Sequence, residues 1–318
     1  MYRTAETSNI DKMINILLDI IKQKWNFTKT AHRNKKANYI NMKRTVFIIL
    51  TVFAVQMHLS ISSTGQTVKG YNDVEYKKGK TTVLFNGENL DGWYVFLKDR
   101  GRDNDPKQVF TVQDNMIRVS GEEWGCITTE KEYKNYKIAV EFKWGEETHG
   151  TRADKARDSG LLVHSKGKDG AFSGTWMNSI ECQIIEGGTG DFIVVGDGTD
   201  KFKISSPVAK EMQGSSHVFQ PGGDLVTINK GRINWWGRDP GWKDVIDFRG
   251  SRDVEKPVGE WNLLECIVVG DDVTVFLNGT LVNHATNVKP KKGRLQIQSE
   301  GAEMWVRKAE LTSLSEMN

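Results

Sequence analysis

The chain has 318 residues, of which 27% are charged and 38% hydrophobic, so it can bury one sizeable core and is too apolar to be disordered. Its formal net charge of +3 comes from the N-terminal part, because residues 1–63 hold 10 of the 44 basic and 3 of the 41 acidic residues. The remaining 34 basic and 38 acidic residues make a mildly acidic body. A body without a basic stripe gives no electrostatic reason to bind nucleic acid.

An apolar run over residues 45–55 predicts a signal for export. Met42, Lys43 and Arg44 precede this run, and small residues follow it. That order is typical of a secretory signal peptide, and the run is shorter than the roughly 20 residues that span a bilayer. We therefore expect residues 42–63 to form a signal peptide. The mature protein is then periplasmic or secreted, and it has no membrane span once the signal is removed.

The segments on either side of this signal are assigned from its position. A signal peptide begins at the N-terminus of its protein, so residues 1–41 are expected to be untranslated or disordered. Residues 64–80 are expected to be a linker. The alternative is a real amphipathic helix over residues 10–25, whose apolar spacing is helical, followed by a short anchor.

From residue 81 to residue 314 the dominant hydrophobic period is two, which is typical of strands with one buried face. In Tyr136–Trp144, for example, large apolar residues alternate with lysine, alanine and glutamate. No long helical pattern appears in this part of the sequence, which disfavours βαβ architectures. About a dozen short strands separated by Gly, Asn and Asp predict an all-β domain of two packed antiparallel sheets, a jelly-roll-like sandwich.

The pair Asn278-Gly279 is the clearest turn signal in the chain. It separates two apolar runs, and both residue types tolerate the positive φ angles of a type I′ turn. The sequence therefore predicts an antiparallel hairpin near the C-terminus.

Three cysteines, Cys126, Cys182 and Cys266, lie far apart and form no Cys-x-x-Cys pair, which argues against a zinc ribbon or a redox dithiol. Each lies in an apolar run, so we expect buried free thiols. One disulfide remains an alternative in an oxidising compartment, and at least one cysteine would then stay unpaired.

The segment 179–188 contains the most informative polar residues. Glu181 and Gln183 share one face of a strand, and a β-bulge near its end would bring Glu186 to the same face. Two carboxylates in that arrangement can divide acid and base catalysis on a glycosidic bond. The spacing is similar to the Glu-x-Asp-x-x-Glu pattern of family 16 glycoside hydrolases, with Gln183 in place of the aspartate. The alternative is a strand whose solvent face is simply polar.

A second strand carries Asp158, Gly160 and His164 at alternate positions, which predicts a common face. Glycine lets a ligand approach the backbone closely. His164 could act as a base near neutral pH, and Asp158 could orient it or bind a metal. A lone histidine in a strand is nevertheless more often a structural residue.

Two other segments could contact a ligand. Gln296, Gln298 and Glu300 form a polar row that is suited to hydrogen-bonding sugar hydroxyls. Trp235 and Trp236 lie in a loop-like segment rich in Gly, Asp and Pro, and exposed indole rings stack well on sugars. The alternative is a loop that its own tryptophans anchor to the core.

The segment Leu84–Trp93, with the sequence LFNGENLDGW, resembles the opening motif of the 3-keto-disaccharide hydrolase domain family. Further segments agree with this family in order: Asp158-Ser159-Gly160, Glu181-x-Gln183, Gly259-Glu260-Trp261-Asn262, Leu277-Asn278-Gly279 and the stretch from Gly293 to Ala302. The resemblance covers residues 81–314.

This resemblance implies a concanavalin A-like jelly roll, placement in the periplasm or on the outer surface, and cleavage of glycosides that were first oxidised at C3. It also implies an enolate intermediate, which a divalent cation held by the substrate could stabilise. The residues expected to line the cleft are Asp158, His164, Glu181, Gln183, Gln298 and Glu300. Glu181 or His164 is the expected base. Asp158 and His164 replace the Asn and Arg that are usual in the family, so substrate or mechanism can differ.

Two other functions remain open at this level. A non-catalytic sugar-binding module would bind unmodified oligosaccharide without turnover. An endo-acting glycoside hydrolase that uses Glu181 and Glu186 would cleave unoxidised polysaccharide.

Overall fold

A computed structural model describes residues 67–317 of the chain. The signal peptide expected over residues 42–63, and residues 1–41 before it, lie outside this range. Between residues 67 and 317 the chain forms 20 β-strands and two short 3₁₀ turns, Tyr71–Asp73 and Gly150–Arg152. No helix in the same range is long and apolar enough to cross a membrane.

The strands are, in chain order, β1 (Thr67–Lys69), β2 (Glu75–Val83), β3 (Trp93–Leu97), β4 (Gly101–Arg102), β5 (Phe110–Gln113), β6 (Met116–Val119), β7 (Gly125–Thr129), β8 (Tyr136–Thr148), β9 (Asp158–Lys166), β10 (Asn178–Ile185), β11 (Phe192–Val195), β12 (Lys203–Val208), β13 (His217–Val218), β14 (Asp224–Ile228), β15 (Gly231–Asn234), β16 (Asn262–Val269), β17 (Asp272–Leu277), β18 (Thr280–Lys289), β19 (Arg294–Ser299) and β20 (Ala302–Glu316).

These strands form two sheets. The first has the order β1-β2-β20-β8-β16-β17-β18-β12-β14, and β6 pairs with both β20 and β5. The second has the order β13-β15-β11-β10-β9-β19-β7-β3-β4. Among these strands every pair is antiparallel except β13 with β15. The prediction of an all-β, concanavalin A-like jelly-roll sandwich of two antiparallel sheets is confirmed.

Alternate side chains of the two sheets meet in one apolar core. Tyr136, Phe142 and Trp144 of β8 are all fully buried there, as the period-two pattern of this segment predicts. Cys182 of β10 and Cys266 of β16 also face each other across the core, with their sulfur atoms 2.9 Å apart. All three thiols are buried and free, which agrees with the sequence-based expectation.

The predicted hairpin is confirmed. β17 and β18 pair across Asn278 and Gly279, whose φ angles of 50° and 79° are those that a type I′ turn requires.

The predicted linker over residues 64–80 is wrong for residues 67–80. β1 pairs with β2, and β2 pairs in turn with β20 in the first sheet. Most side chains of β2 are exposed, so this strand is held by backbone hydrogen bonds rather than by a buried face. For that reason it shows no hydrophobic alternation in the sequence.

Candidate active site

The second sheet has a polar outer face over its central strands. Leu161 of β9, Ile180 of β10 and Ile297 of β19 point into the core. The residues next to each of them along its strand therefore point outward. The strand register places Gln183 opposite Gly160. Leu162 of β9 lies opposite Glu181 of β10 on one side and opposite Gln296 of β19 on the other. The outward side chains of three strands therefore meet on one patch.

Gly160 allows two of these side chains to approach each other. A Cβ atom at this position would collide with Oε1 of Gln298 and with Oε1 of Glu181. The missing side chain thus leaves the space in which the amide and the carboxylate lie side by side. The sequence-based expectation that Glu181 and Gln298 share one face agrees with the structure.

Asp158 lies next to this pair at the start of β9. Gln183 Nε2 donates a hydrogen bond of 2.7 Å to Asp158 Oδ1, and Arg152 Nη2 lies 3.5 Å from Asp158 Oδ2. Burial raises the pKa of Asp158 to about 7, although the positive charges of Arg152 and Arg232 favour its ionised form. The carboxyl group can therefore change its protonation state near neutral pH.

Glu181 and Glu300 complete a carboxylate cluster, defined here as Asp158, Glu181 and Glu300. Glu181 is only 4% exposed, and burial together with the charge of Asp158 raises its pKa to about 8. Burial, followed by the charges of Asp158 and Glu181, also raises the pKa of Glu300 well above its usual value. Three acids thus share one site, where Asp158 and Glu181 are buried, Glu300 is partly exposed and their charges repel one another.

Two arginines supply positive charge beside the cluster. Arg152 is oriented by Asp244, whose Oδ1 lies 2.9 Å from Arg152 Nη2. Arg232 Nη1 donates a hydrogen bond of 2.9 Å to the fully buried Asp191. Both cations lower the pKa values of Asp158 and Glu300, and Arg232 also lowers that of Glu181. A developing negative charge in this place would meet guanidinium groups already oriented by carboxylates.

Several polar atoms of the patch are available to a ligand. Gln183 Oε1 and both polar atoms of the Gln298 side chain are buried and have no hydrogen-bond partner within residues 67–317. Buried polar atoms are normally paired, so three unpaired ones on one patch favour a site that another molecule completes. A polyhydroxylated ligand has the donors and acceptors that these amides lack.

An aromatic wall, defined as Phe96, Trp124, Phe172 and Trp176, borders the patch. The Trp124 and Trp176 rings stack with centroids 6.0 Å apart and an angle of 23° between their planes. The wall packs over Leu162, which is the cross-strand neighbour of Glu181. The sequence-based site prediction does not include these residues. Trp124 was the available signal, because it directly precedes β7 and alternates with Cys126, which packs with Leu162 and Trp176.

His164 lies elsewhere, and its predicted position is wrong. β9 has a β-bulge here, because Val163 and His164 together oppose the single residue Leu295 of β19. The bulge turns the imidazole away from the patch, so that it lies 6.1 Å from the Tyr136 ring in the core. Its Nδ1 donates a hydrogen bond to the Pro290 carbonyl, and burial lowers the pKa of His164 to about 4.

Glu186 does not join the carboxylate cluster either. β10 pairs regularly with β9 up to Ile185, so the expected bulge near its end is absent from this strand pair. Both carboxylate oxygens of Glu186 accept hydrogen bonds from buried Arg157, at 2.7 Å from Nη1 and 2.9 Å from the backbone nitrogen. This ion pair gives Glu186 a structural role and removes the basis for a double-carboxylate mechanism with Glu181.

Trp235 and Trp236 are not exposed platforms. Trp235 is 1% exposed and belongs to the core, and Trp236 packs against the core while its Nε1 donates to the Leu281 carbonyl at 2.6 Å. The alternative interpretation, a loop anchored by its own tryptophans, agrees with the structure.

The side chains of the carboxylate cluster are oxygen donors of the kind that a divalent cation prefers. Within residues 67–317 no three His, Cys, Asp or Glu side chains are arranged to hold one. The carboxylate cluster is compensated instead by Arg152 and Arg232.

Comparison with known proteins gives one family match and several similar folds. The model of a family described as 3-keto-alpha-glucoside-1,2-lyase-like domain matches residues 80–312. No curated protein matches the chain in sequence. A protein from Parabacteroides distasonis named as a candidate glycosyl hydrolase is 18% identical, with 74% of this chain and 94% of that chain covered and a TM-score of 0.44. The carbohydrate-binding module CBM66 from Bacillus subtilis is 12% identical, with 69% and 94% covered and a TM-score of 0.36.

Proposed function

We propose, from the premise that this chain belongs to the 3-keto-disaccharide hydrolase family, that it cleaves glycosides which carry a ketone at C3 of the sugar ring. Family membership makes it a protein that acts on carbohydrate. The observation that carries the proposed reaction is the position of Glu181, a buried carboxylate whose pKa is raised to about 8, among two arginines and unpaired amides.

A C3 ketone makes this reaction accessible to a carboxylate base. The ketone acidifies the proton on C2, so a base can remove that proton while the electron pair moves onto the C3 oxygen as an enolate. When the carbonyl re-forms, the C1–O bond breaks and the leaving group takes up a proton. Addition of water across the resulting C1–C2 double bond then completes the hydrolysis.

Glu181 is the proposed base. Removal of a proton from carbon requires a base with a high pKa that still ionises near the working pH, and burial gives Glu181 that property. Arg232, which interacts electrostatically with Glu181 and Asp158, is suited to stabilise the negative charge of the enolate. Gln183 and Gln298 would hold the substrate hydroxyls through their unpaired atoms.

The proposed acid is Asp158. With a pKa of about 7 a fraction of this group is protonated at neutral pH, and Gln183 keeps the carboxyl group in place. It can therefore give a proton to the departing oxygen while Glu181 holds the proton from C2.

The direct test compares one disaccharide in two forms, with and without oxidation at C3, by product analysis with the purified protein. We expect release of the C1 substituent from the oxidised form only. Binding of the unoxidised sugar without turnover of either form would instead identify a carbohydrate-binding module. Cleavage of unoxidised polysaccharide would identify an endo-acting hydrolase.

We also propose that the protein is exported. The charged, apolar and small order of residues 42–63 supports this proposal. N-terminal sequencing of material from outside the cytoplasm is expected to give a start after residue 63, and a mature chain that still contains Trp25 would contradict the assignment.

A further inference from the structure

A cavity of about 570 Å³ lies at the end of the second sheet where β7 begins. Residues from three loops and strand ends line it: Lys98, Asp99, Arg100, Glu122, Glu123, Trp124 and Thr151. The volume is sufficient for one sugar ring, since small-molecule sites of about 300–1,000 Å³ hold ligands of drug size. None of the roles proposed above uses these residues.

The register of the strands places this cavity next to the reacting centre. Gly125 of β7 pairs with Ser299 of β19, so the residues just beyond them, Trp124 and Glu300, are neighbours at this end of the sheet. On the other side, Thr151 directly precedes Arg152, whose guanidinium contacts Asp158. Two lining residues, Trp124 and Thr151, are therefore neighbours of Glu300 and of the arginine that contacts Asp158.

The cavity combines the groups that bind a sugar ring. The Trp124 ring stacks on Trp176 and also contributes to the cavity wall, so an apolar aromatic surface is held rigidly at its edge. Opposite charges complete the lining, since Arg100 donates two hydrogen bonds to Glu123, at 2.5 and 2.6 Å. The bond from Arg100 lowers the pKa of Glu123 to about 2, so this carboxylate stays ionised and can accept hydrogen bonds from hydroxyls.

We propose that this cavity binds the leaving-group sugar of a 3-keto disaccharide, with the apolar face of the sugar on Trp124 and its hydroxyls on the Arg100–Glu123 pair. The inference rests on the proposed function, because it assigns the ring that departs from C1. The oxidised ring then lies against the Glu181 and Gln298 side chains, and its neighbour extends past Glu300 into the cavity.

The test measures the kinetics of Trp124→Ala on two substrates that share the oxidised ring. One is a 3-keto disaccharide, and the other is the 3-keto methyl glycoside, which has no second ring. We expect KM for the disaccharide to rise about 3- to 10-fold, the range of an aromatic contact, and KM for the methyl glycoside to stay unchanged. Trp124→Phe should recover most of the loss because it keeps an aromatic face.

Trp261→Ala is the matched control, because this indole lies against Lys143 and Arg307 on the first sheet. It should leave both substrates unaffected. An equal change for both substrates in Trp124→Ala, or no change for either, would overturn the subsite while the proposed function stands. Turnover of neither substrate by the wild type would overturn the proposed function. Calorimetry with the unoxidised disaccharide then tests the subsite alone. Weaker binding by Trp124→Ala than by the wild type would support the subsite, and equal binding would overturn it.

Discussion

Replacement of Glu181 by glutamine keeps the shape of the side chain and removes the group that the mechanism needs as a base. Loss of a positioned general base typically reduces the rate about 10²- to 10⁴-fold, so we expect kcat/KM on a 3-keto disaccharide to fall by that factor. In the wild type kcat/KM should follow a bell-shaped pH profile with its maximum between about 7 and 8, because Glu181 must be ionised and Asp158 protonated. The variant should lose the part of this dependence that comes from Glu181.

The same substitution should increase stability above neutral pH. In the unfolded chain this carboxyl group ionises near its usual value of 4.5, whereas in the folded protein its pKa is about 8. The wild type therefore loses free energy of unfolding as the pH rises from 4.5 to 8, and at about 1.4 kcal/mol per pKa unit the loss is at most about 5 kcal/mol. Glutamine carries no charge, so the variant does not lose it.

The assay combines pH–rate profiles with urea unfolding at pH 4 and pH 8. We expect Glu181→Gln to be nearly inactive at both pH values, about as stable as the wild type at pH 4 and more stable at pH 8. A variant that keeps more than about a tenth of the activity would refute the role of the base. If the free energy of unfolding differs between variant and wild type by the same amount at pH 4 and pH 8, the raised pKa of Glu181 is refuted.

Three further outcomes are expected. Glu186→Gln should lower the free energy of unfolding by about 3 kcal/mol, because it removes the main charge partner of buried Arg157. The kcat of the folded variant should equal that of the wild type, and a loss of kcat without a loss of stability would contradict this. His164→Asn should retain kcat/KM, since asparagine tolerates the φ of 56°. Because the pKa of His164 is lowered to about 4, the wild type loses free energy of unfolding as the pH falls from 6.5 to about 4, and the variant should not. Urea unfolding at both pH values checks this. If the protein is exported as proposed, a small oxidising disulfide acting during folding should join Cys182 to Cys266, whose sulfurs lie 2.9 Å apart in the folded protein. Mass spectrometry of alkylated protein should then find one free thiol, and three would contradict the pairing.

Much of the site could be predicted from strand alternation. Glu181, Gln183 and Gln298 lie in regular parts of β10 and β19, where each side chain follows from its position in the strand. The same rule failed for His164, because one extra residue in β9 reverses the direction of the side chain. A bulge depends on the pairing of strands that are distant in the sequence, so local spacing does not reveal it.

The sequence also does not show which distant side chains form ion pairs or stack on each other. Glu186 is a reasonable catalytic candidate by sequence, but in the structure it forms an ion pair with Arg157, 29 residues earlier. Trp124 and Trp176 are 52 positions apart, and only the fold stacks them beside the patch. Local pattern also favoured Trp235 and Trp236 as exposed rings, whereas packing places one of them in the core and the other against it.

The sequence by itself determined the all-β sandwich, the family and the outward face of β10, since these depend on short-range periodicity, turn chemistry and motif order. The tertiary structure alone decided which acids share one desolvated site, which arginines compensate them and which tryptophans border it. These properties arise from burial and from contacts between strands far apart in the chain, and such contacts shift the pKa values from which the proposed chemistry follows.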